Sequence, residues 1–124
     1  MTPSDYCYFN YPQTENVKDI PDWMKLTTID TVYNYELVPR ELSEEESGYV
    51  LGGQGNIWTE FISNPAEAEY MMFPRMSALS EVLWSPKDKR NFDDFKDRIM
   101  TQFKRYDLWK VNYCKVLLDS AAKN

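Results

Sequence analysis

The segment YVLGGQGNIWTE, residues 49–60, constrains the fold of this chain more than any other stretch. Tyr49, Val50 and Leu51 favour extended backbone, and Ile57 and Trp58 resume the apolar pattern. Between them, Gly52, Gly53 and Gly55 mark a bulge or a close backbone approach. The pattern predicts a short buried strand over 49–58, with Thr59-Glu60 following at its C-terminal end. One strand is not a sheet, because its backbone N–H and C=O groups need partners on neighbouring strands. The expected partner is either chain beyond these 124 residues or a second copy.

Helical signals follow the strand. Asn64 can cap, Pro65 suits a first helical position and Glu67 stands three residues after the cap. Behind them Ala68, Met71, Met72, Leu79, Val82 and Leu83 fall on one helical face, which predicts a helix over 64–84. Pro74 lies inside that pattern and is expected to kink it near Tyr70. A second helix is predicted over 91–110, with Phe92, Phe95, Ile99, Phe103 and Tyr106 repeating every three or four residues. Upstream, residues 1–25 are dense in aromatics and punctuated by Pro3, Pro12 and Pro21, and read as a long ordered loop. TTIDTVYNY suggests a brief helical turn, and ELSEEESG a solvated acidic connection.

Composition narrows the chemistry. With no His, zinc sites built on imidazole, Ser-His-Asp or Cys-His triads and an imidazole base are excluded. A net charge of −6 argues against binding a phosphate backbone, so no nucleic-acid partner is expected. Cys7 and Cys114 are one possible pair, far apart in sequence and without CxxC spacing, and read more simply as two buried free thiols. No cofactor loop, metal cluster or membrane-spanning run is visible, and MTPSDYCYFNYPQ carries no leader pattern, which leaves the compartment open. Taken residue by residue, Tyr8 is a buried loop tyrosine or a phenol donor. Trp58 is a core tryptophan or a pocket wall, and Glu60 is a surface carboxylate or a hydroxyl acceptor. Arg75 and Glu81 read as a charge pair or as anchors to neighbouring loops, and Met71, Met72 and Met76 as core packing.

GGQGNIWTEFISNPAEAEYMMFPRMSALSEVLWS resembles the last strand and helix of the catalytic barrel of family 20 glycoside hydrolases, the β-N-acetylhexosaminidases. Its Gly-Gly-Gln leads to Trp58-Thr59-Glu60, and a helix with Pro74, Arg75, Ala78, Glu81 and Trp84 follows. MTPSDYCYFNYPQ resembles the end of the seventh strand with the family's Tyr-x-Asp, here Tyr8-Phe9-Asn10. VYNYELVP and RNFDDFKDRI are family-like too, so the likeness runs from residue 1 to about 113.

The resemblance implies an α/β chain: the C-terminal part of a (β/α)8 TIM barrel, with its last one to two strands, its last barrel helix and an extra C-terminal helix. It places 1–25 as the loop after the seventh strand, 49–60 as the eighth strand, 64–84 as the eighth helix and 91–110 as the C-terminal helix. A whole barrel takes roughly 200 residues or more, so about a quarter of its strands would be present. The family's Asp-Glu catalytic pair belongs to an earlier strand, and no Asp-Glu dipeptide occurs here. The implied activity is exo-hydrolysis of terminal GlcNAc or GalNAc by a substrate-assisted retaining mechanism. Tyr8 would donate to the acetamido oxygen, Trp58 would wall the sugar, and Glu60 would accept from two sugar hydroxyls, being on the same face as Trp58 in an extended chain. Asn10 replaces the family's Asp near the 6-position, and with the negative charge lost it would tolerate an anionic 6-substituent better. The partner implied is an N-acetylhexosamine-terminated glycan, with no cofactor. Without a general acid the isolated chain is expected to be inactive. The competing expectations are a non-catalytic sugar-binding module and a fragment that folds by self-association or with a missing N-terminal portion.

Overall fold

The computed structural model of the chain describes residues 3–15 and 21–121, with side chains as far as Leu118. Seven helices appear among the described residues: α1 (Ser4–Cys7), α2 (Ile29–Tyr33), α3 (Glu44–Ser47), α4 (Pro65–Met72), α5 (Arg75–Trp84), α6 (Phe92–Trp109) and α7 (Val116–Ala121). Single 3-10 turns lie at Thr59–Phe61 and Lys87–Lys89.

Local sequence explains the helix ends. Asn64 Oδ1 accepts from Glu67 N at 2.9 Å with Pro65 at the first position, and Asn91 Oδ1 accepts from Asp94 N at 3.1 Å. At α3 Ser43 and Glu46 form a reciprocal capping box, so the acidic connection holds one helical turn. The stretch 64–84 is two helices rather than one kinked helix. The break falls at Phe73–Pro74, past the Tyr70 position expected, because Pro74 has no N–H to offer the Tyr70 carbonyl.

The main core lies between α2, α5 and α6. Val32, Tyr33, Ala78, Leu79 and Val82 meet Phe95, Ile99, Phe103 and Tyr106, the four buried residues of α6. Burying the Val, Leu, Ile and Phe side chains among them contributes roughly 1.5–3 kcal/mol each. Polar ties close the seam: the Glu81 carboxylate accepts from Tyr33 Oη at 2.6 Å and from Arg98 Nη1 and Nη2 at 2.6 and 2.8 Å. Burial, then the neighbouring Glu81, push the Tyr33 phenol up to about 12. Met71 is buried, and Met72 and Met76 pack at the core's edge. Cys7 and Cys114 are buried with no disulfide between them.

The segment 49–60 departs from its strand expectation. Among the described residues it makes one parallel bridge, Tyr8 with Asn56, and no ladder. Phe9 N donates to Asn56 O at 2.6 Å and Asn56 N donates to Cys7 O at 2.7 Å. Pairing stops there because the partner is short. Residues 7–9 leave α1 on one side and turn back on the other, where Tyr11 N donates to Tyr8 O at 3.2 Å. Residues 3–15 and 21–25 are accordingly irregular apart from α1, and residues 1–2 and 16–20 of the expected loop lie outside the described residues.

Candidate functional site

The Tyr8–Asn56 bridge decides what stands beside what. It pins two segments 48 residues apart in sequence, and Trp58 lies two residues beyond Asn56 on still-extended backbone (φ −106°, ψ 135°). The Tyr8 and Trp58 rings lie 6.4 Å apart, tilted by 55°. The row continues: Tyr11 meets Tyr8 edge-on at 6.0 Å and Trp23 meets Tyr11 edge-on at 6.4 Å. Trp58 is 55 % exposed and Trp23 65 %, so the row ends in two open indole faces. Tyr11 and Trp23 were not singled out from sequence. The signal was the aromatic density of 1–25, which does not say which rings line up.

Gly55 makes the bridge possible. A Cβ there would stand 2.7 Å from Phe9 Cε2, so the backbone passes flat against a ring that is itself fully buried. Phe9 in turn lies under the Arg75 guanidinium, 5.0 Å from its centre.

Glu60 is exposed, and the alternation that would put it on the Trp58 face does not reach it. The chain turns into the 3-10 turn Thr59–Phe61 directly after Trp58, replacing a period of two by one of three. Asn10 is 5 % exposed, and its Oδ1 is shielded and has no hydrogen-bond partner among the described residues. A ligand reaches that oxygen only if the segment around it opens. Arg75 and Glu81 are not a pair. Arg75 is fully buried and donates to backbone carbonyls from three places in the chain, whereas Glu81 belongs to Tyr33 and Arg98.

The aromatic row is an open surface. Cavities of about 380 and 400 Å3 lie elsewhere, one between α5 and α6 beside Trp84, the other beneath Tyr35, Leu42 and Tyr49. Chemically, the row offers apolar ring faces next to a phenol. Ring faces remove C–H surface from water at roughly 25 cal/mol per Å2, and a phenol O–H can donate to a carbonyl oxygen. No group of three or more His, Cys, Asp or Glu side chains among the described residues is arranged to hold a metal ion. No described helix is long and apolar enough to cross a membrane.

Comparison with known proteins supplies the context for this surface. Residues 1–87 match the pattern of glycosyl hydrolase family 20, catalytic domain. A β-hexosaminidase of Porphyromonas gingivalis is 35 % identical over 85 residues, 68 % of this chain and 11 % of that protein. One from Akkermansia muciniphila is 29 % identical over 113 residues, 91 % of this chain and 22 % of the relative. The chain thus spans between about a tenth and a fifth of these relatives' length. The structure of a family 20 exo-β-N-acetylglucosaminidase from Vibrio harveyi, in complex with N-acetylglucosamine, superposes with a TM-score of 0.80 at 29 % identity. That match covers 91 % of this chain and 18 % of the Vibrio chain. On the family pattern and the shared structure together, this chain belongs to glycosyl hydrolase family 20.

Proposed function

We propose that the chain is the C-terminal part of the (β/α)8 catalytic barrel of an exo-β-N-acetylhexosaminidase. In this reading 1–25 follow the seventh strand, 49–60 occupy the eighth strand's place, 64–84, broken into α4 and α5, take the place of the eighth helix, and 91–110 are the C-terminal helix. The chain supplies sugar-contacting groups, and an Asp-Glu pair on another part of the barrel supplies the acid. The substrate is terminal GlcNAc or GalNAc, and its own acetamido oxygen attacks the anomeric carbon with retention of configuration. Tyr8 donates to that oxygen as charge develops, Trp58 packs against the sugar, Glu60 accepts from its hydroxyls out of the exposed turn after Trp58, and Asn10 comes near the 6-position once the segment over it opens.

The observation that carries this reading is the 6.4 Å approach of Tyr8 and Trp58 across the parallel bridge. A phenol donor beside an open indole face suits an acetamido group, which has one acceptor oxygen and one apolar methyl. Ring closure needs that group held in a near-attack position, and a preorganised donor stabilises the developing charge.

A second reading concerns the chain by itself. Leu51, Trp84, Tyr49 and Leu108 are 97, 89, 78 and 77 % exposed, which favours association with more barrel or with another copy.

An aryl N-acetylglucosaminide assay and NMR titrations on the purified chain test the proposal. No turnover is expected, together with weak saturable binding of N-acetylglucosamine and none of glucose. Hydrolysis that disappears on substituting an Asp or Glu of these 124 residues would overturn the division of labour. Equal response to both sugars would overturn the acetamido reading.

A further inference from the structure

The break between α4 and α5 frees backbone carbonyls in a buried place. Pro74 has no N–H for Tyr70 O, and the Met71 and Phe73 carbonyls also lie at the interruption. Left bare, each would cost roughly 1–3 kcal/mol. Cys114 N donates to Phe73 O at 3.1 Å, and two side chains fill the rest of the gap. Gln13 Nε2 donates to Tyr70 O and, at 3.4 Å, to Phe73 O. Arg75 Nε donates to Met71 O at 3.1 Å.

Both side chains also hold the stretch that carries Tyr8. Gln13 belongs to that stretch. Arg75 reaches across it, with Nη2 donating to Phe9 O at 2.7 Å and Nη1 to Thr27 O at 2.9 Å. Its guanidinium covers the Phe9 ring, and Phe9 N is one half of the bridge to Asn56. Among the described residues no carboxylate pairs with Arg75, and burial lowers its pKa to about 9, which leaves it protonated at neutral pH. A buried unpaired cation is a poor way to stabilise a core. A planar fork that meets three carbonyls at once is a good way to fix a segment, and the point charge of a lysine cannot do the same.

We infer that Arg75 and Gln13 are positioning residues, using the carbonyls freed at the helix break to lock residues 8–13 so that Tyr8 stays beside Trp58. Their functional meaning rests on the proposed role of Tyr8 and Trp58. Arg75 acts through Phe9 and touches no substrate.

The test uses the isotopically labelled 124-residue chain without sugar, in wild-type, Arg75→Lys and Gln13→Ala forms. The readouts are the nuclear Overhauser contact between the Tyr8 and Trp58 rings and the exchange rates of the Phe9 and Asn56 amides. In both variants the ring contact is expected to vanish and both amides to exchange about tenfold faster, the consequence of losing a buried hydrogen bond. The Tyr33–Phe95 contact between α2 and α6, 4.9 Å between ring centroids, is expected to persist. A purely structural role would instead speed all protected amides in parallel and leave the Tyr8–Trp58 contact intact in the folded fraction. That result in either variant overturns the inference. So does global unfolding of both, because the assignment is to one segment and not to the whole fold. Failure of N-acetylglucosamine to bind the wild-type chain would sink the sugar reading and leave these measurements unaffected.

Discussion

Gly55→Ala is the substitution whose cost follows most directly from the structure. The added Cβ would stand 2.7 Å from Phe9 Cε2 and 3.2 Å from Cδ2 and Cζ. Carbon atoms in contact prefer about 3.5–4.0 Å, so the shortfall is close to an ångström. The ring has little room to retreat: Phe9 is fully buried, lies under Arg75, and its own N–H is bonded to Asn56 O. Overpacking of this kind costs about 1–3 kcal/mol, and the stiffer unfolded chain returns about 0.4–1 kcal/mol. The net loss is then about 1–2 kcal/mol, or roughly 3–10 °C in melting temperature for a domain of this size. Gly48→Ala is the control. Gly48 has helical backbone (φ −62°, ψ −19°) and its added Cβ would meet only Glu45 O, at 3.3 Å, so the change should stay within about 0.5 kcal/mol. Thermal and urea unfolding by circular dichroism reads both. A Gly55→Ala variant that melts with the wild type, or a Gly48→Ala variant that loses more, would refute the argument that Phe9 is wedged against the bridge.

Three more outcomes can be measured on the same chain. Hydrogen bonds from Arg98, helped by Tyr33, hold the Glu81 carboxylate below its usual range against the opposing effect of burial. Its stabilisation is therefore present above the unfolded value of 4.5 and lost as pH falls through the lower folded value. Glu81→Gln should cost about 1–3 kcal/mol at pH 7 and flatten the loss of stability below pH 4.5, as urea midpoints across pH would show. Asn91→Ala removes the α6 cap and should lower stability by about 1 kcal/mol, while Asn91→Asp should stay close to wild type. Size-exclusion chromatography should give species larger than 14.7 kDa, and Leu51→Ser with Trp84→Ser should shift them toward monomer. A concentration-independent monomer in the wild type would remove the association reading.

The parts of the fold encoded locally were legible. Asn64-Pro65 and Asn91 carry their own capping chemistry, and the Phe95–Ile99–Phe103–Tyr106 spacing states which face of α6 is buried. The Ser43–Glu46 capping box was in plain sight too, but the density of charge around it reads as a solvated loop. What depends on distant partners was not legible. Tyr49–Leu51 has strand composition, but Tyr49 N and Val50 N donate to Glu46 O and Ser47 O at the end of α3, so these residues join no ladder, and the segment keeps a single bridge at Asn56. Glu60 was placed by an alternation that a 3-10 turn interrupts, and turn type is not written in Trp-Thr-Glu. Arg75 reads from sequence either as half of an ion pair or as an anchor to neighbouring loops, and the structure has it as the anchor. Its true partners are carbonyls from α4 and from two loops, and backbone acceptors leave no mark in a sequence.

The proposed site requires one acetamido sugar to touch Tyr8 and Trp58 together. The direct measurement is the set of intermolecular nuclear Overhauser contacts from the acetamido methyl of N-acetylglucosamine to the labelled chain. The account predicts contacts to both the Trp58 indole and the Tyr8 ring, with both lost in Trp58→Ala. Contacts to neither ring, with the methyl seated instead in the α5–α6 groove beside Trp84, would contradict it.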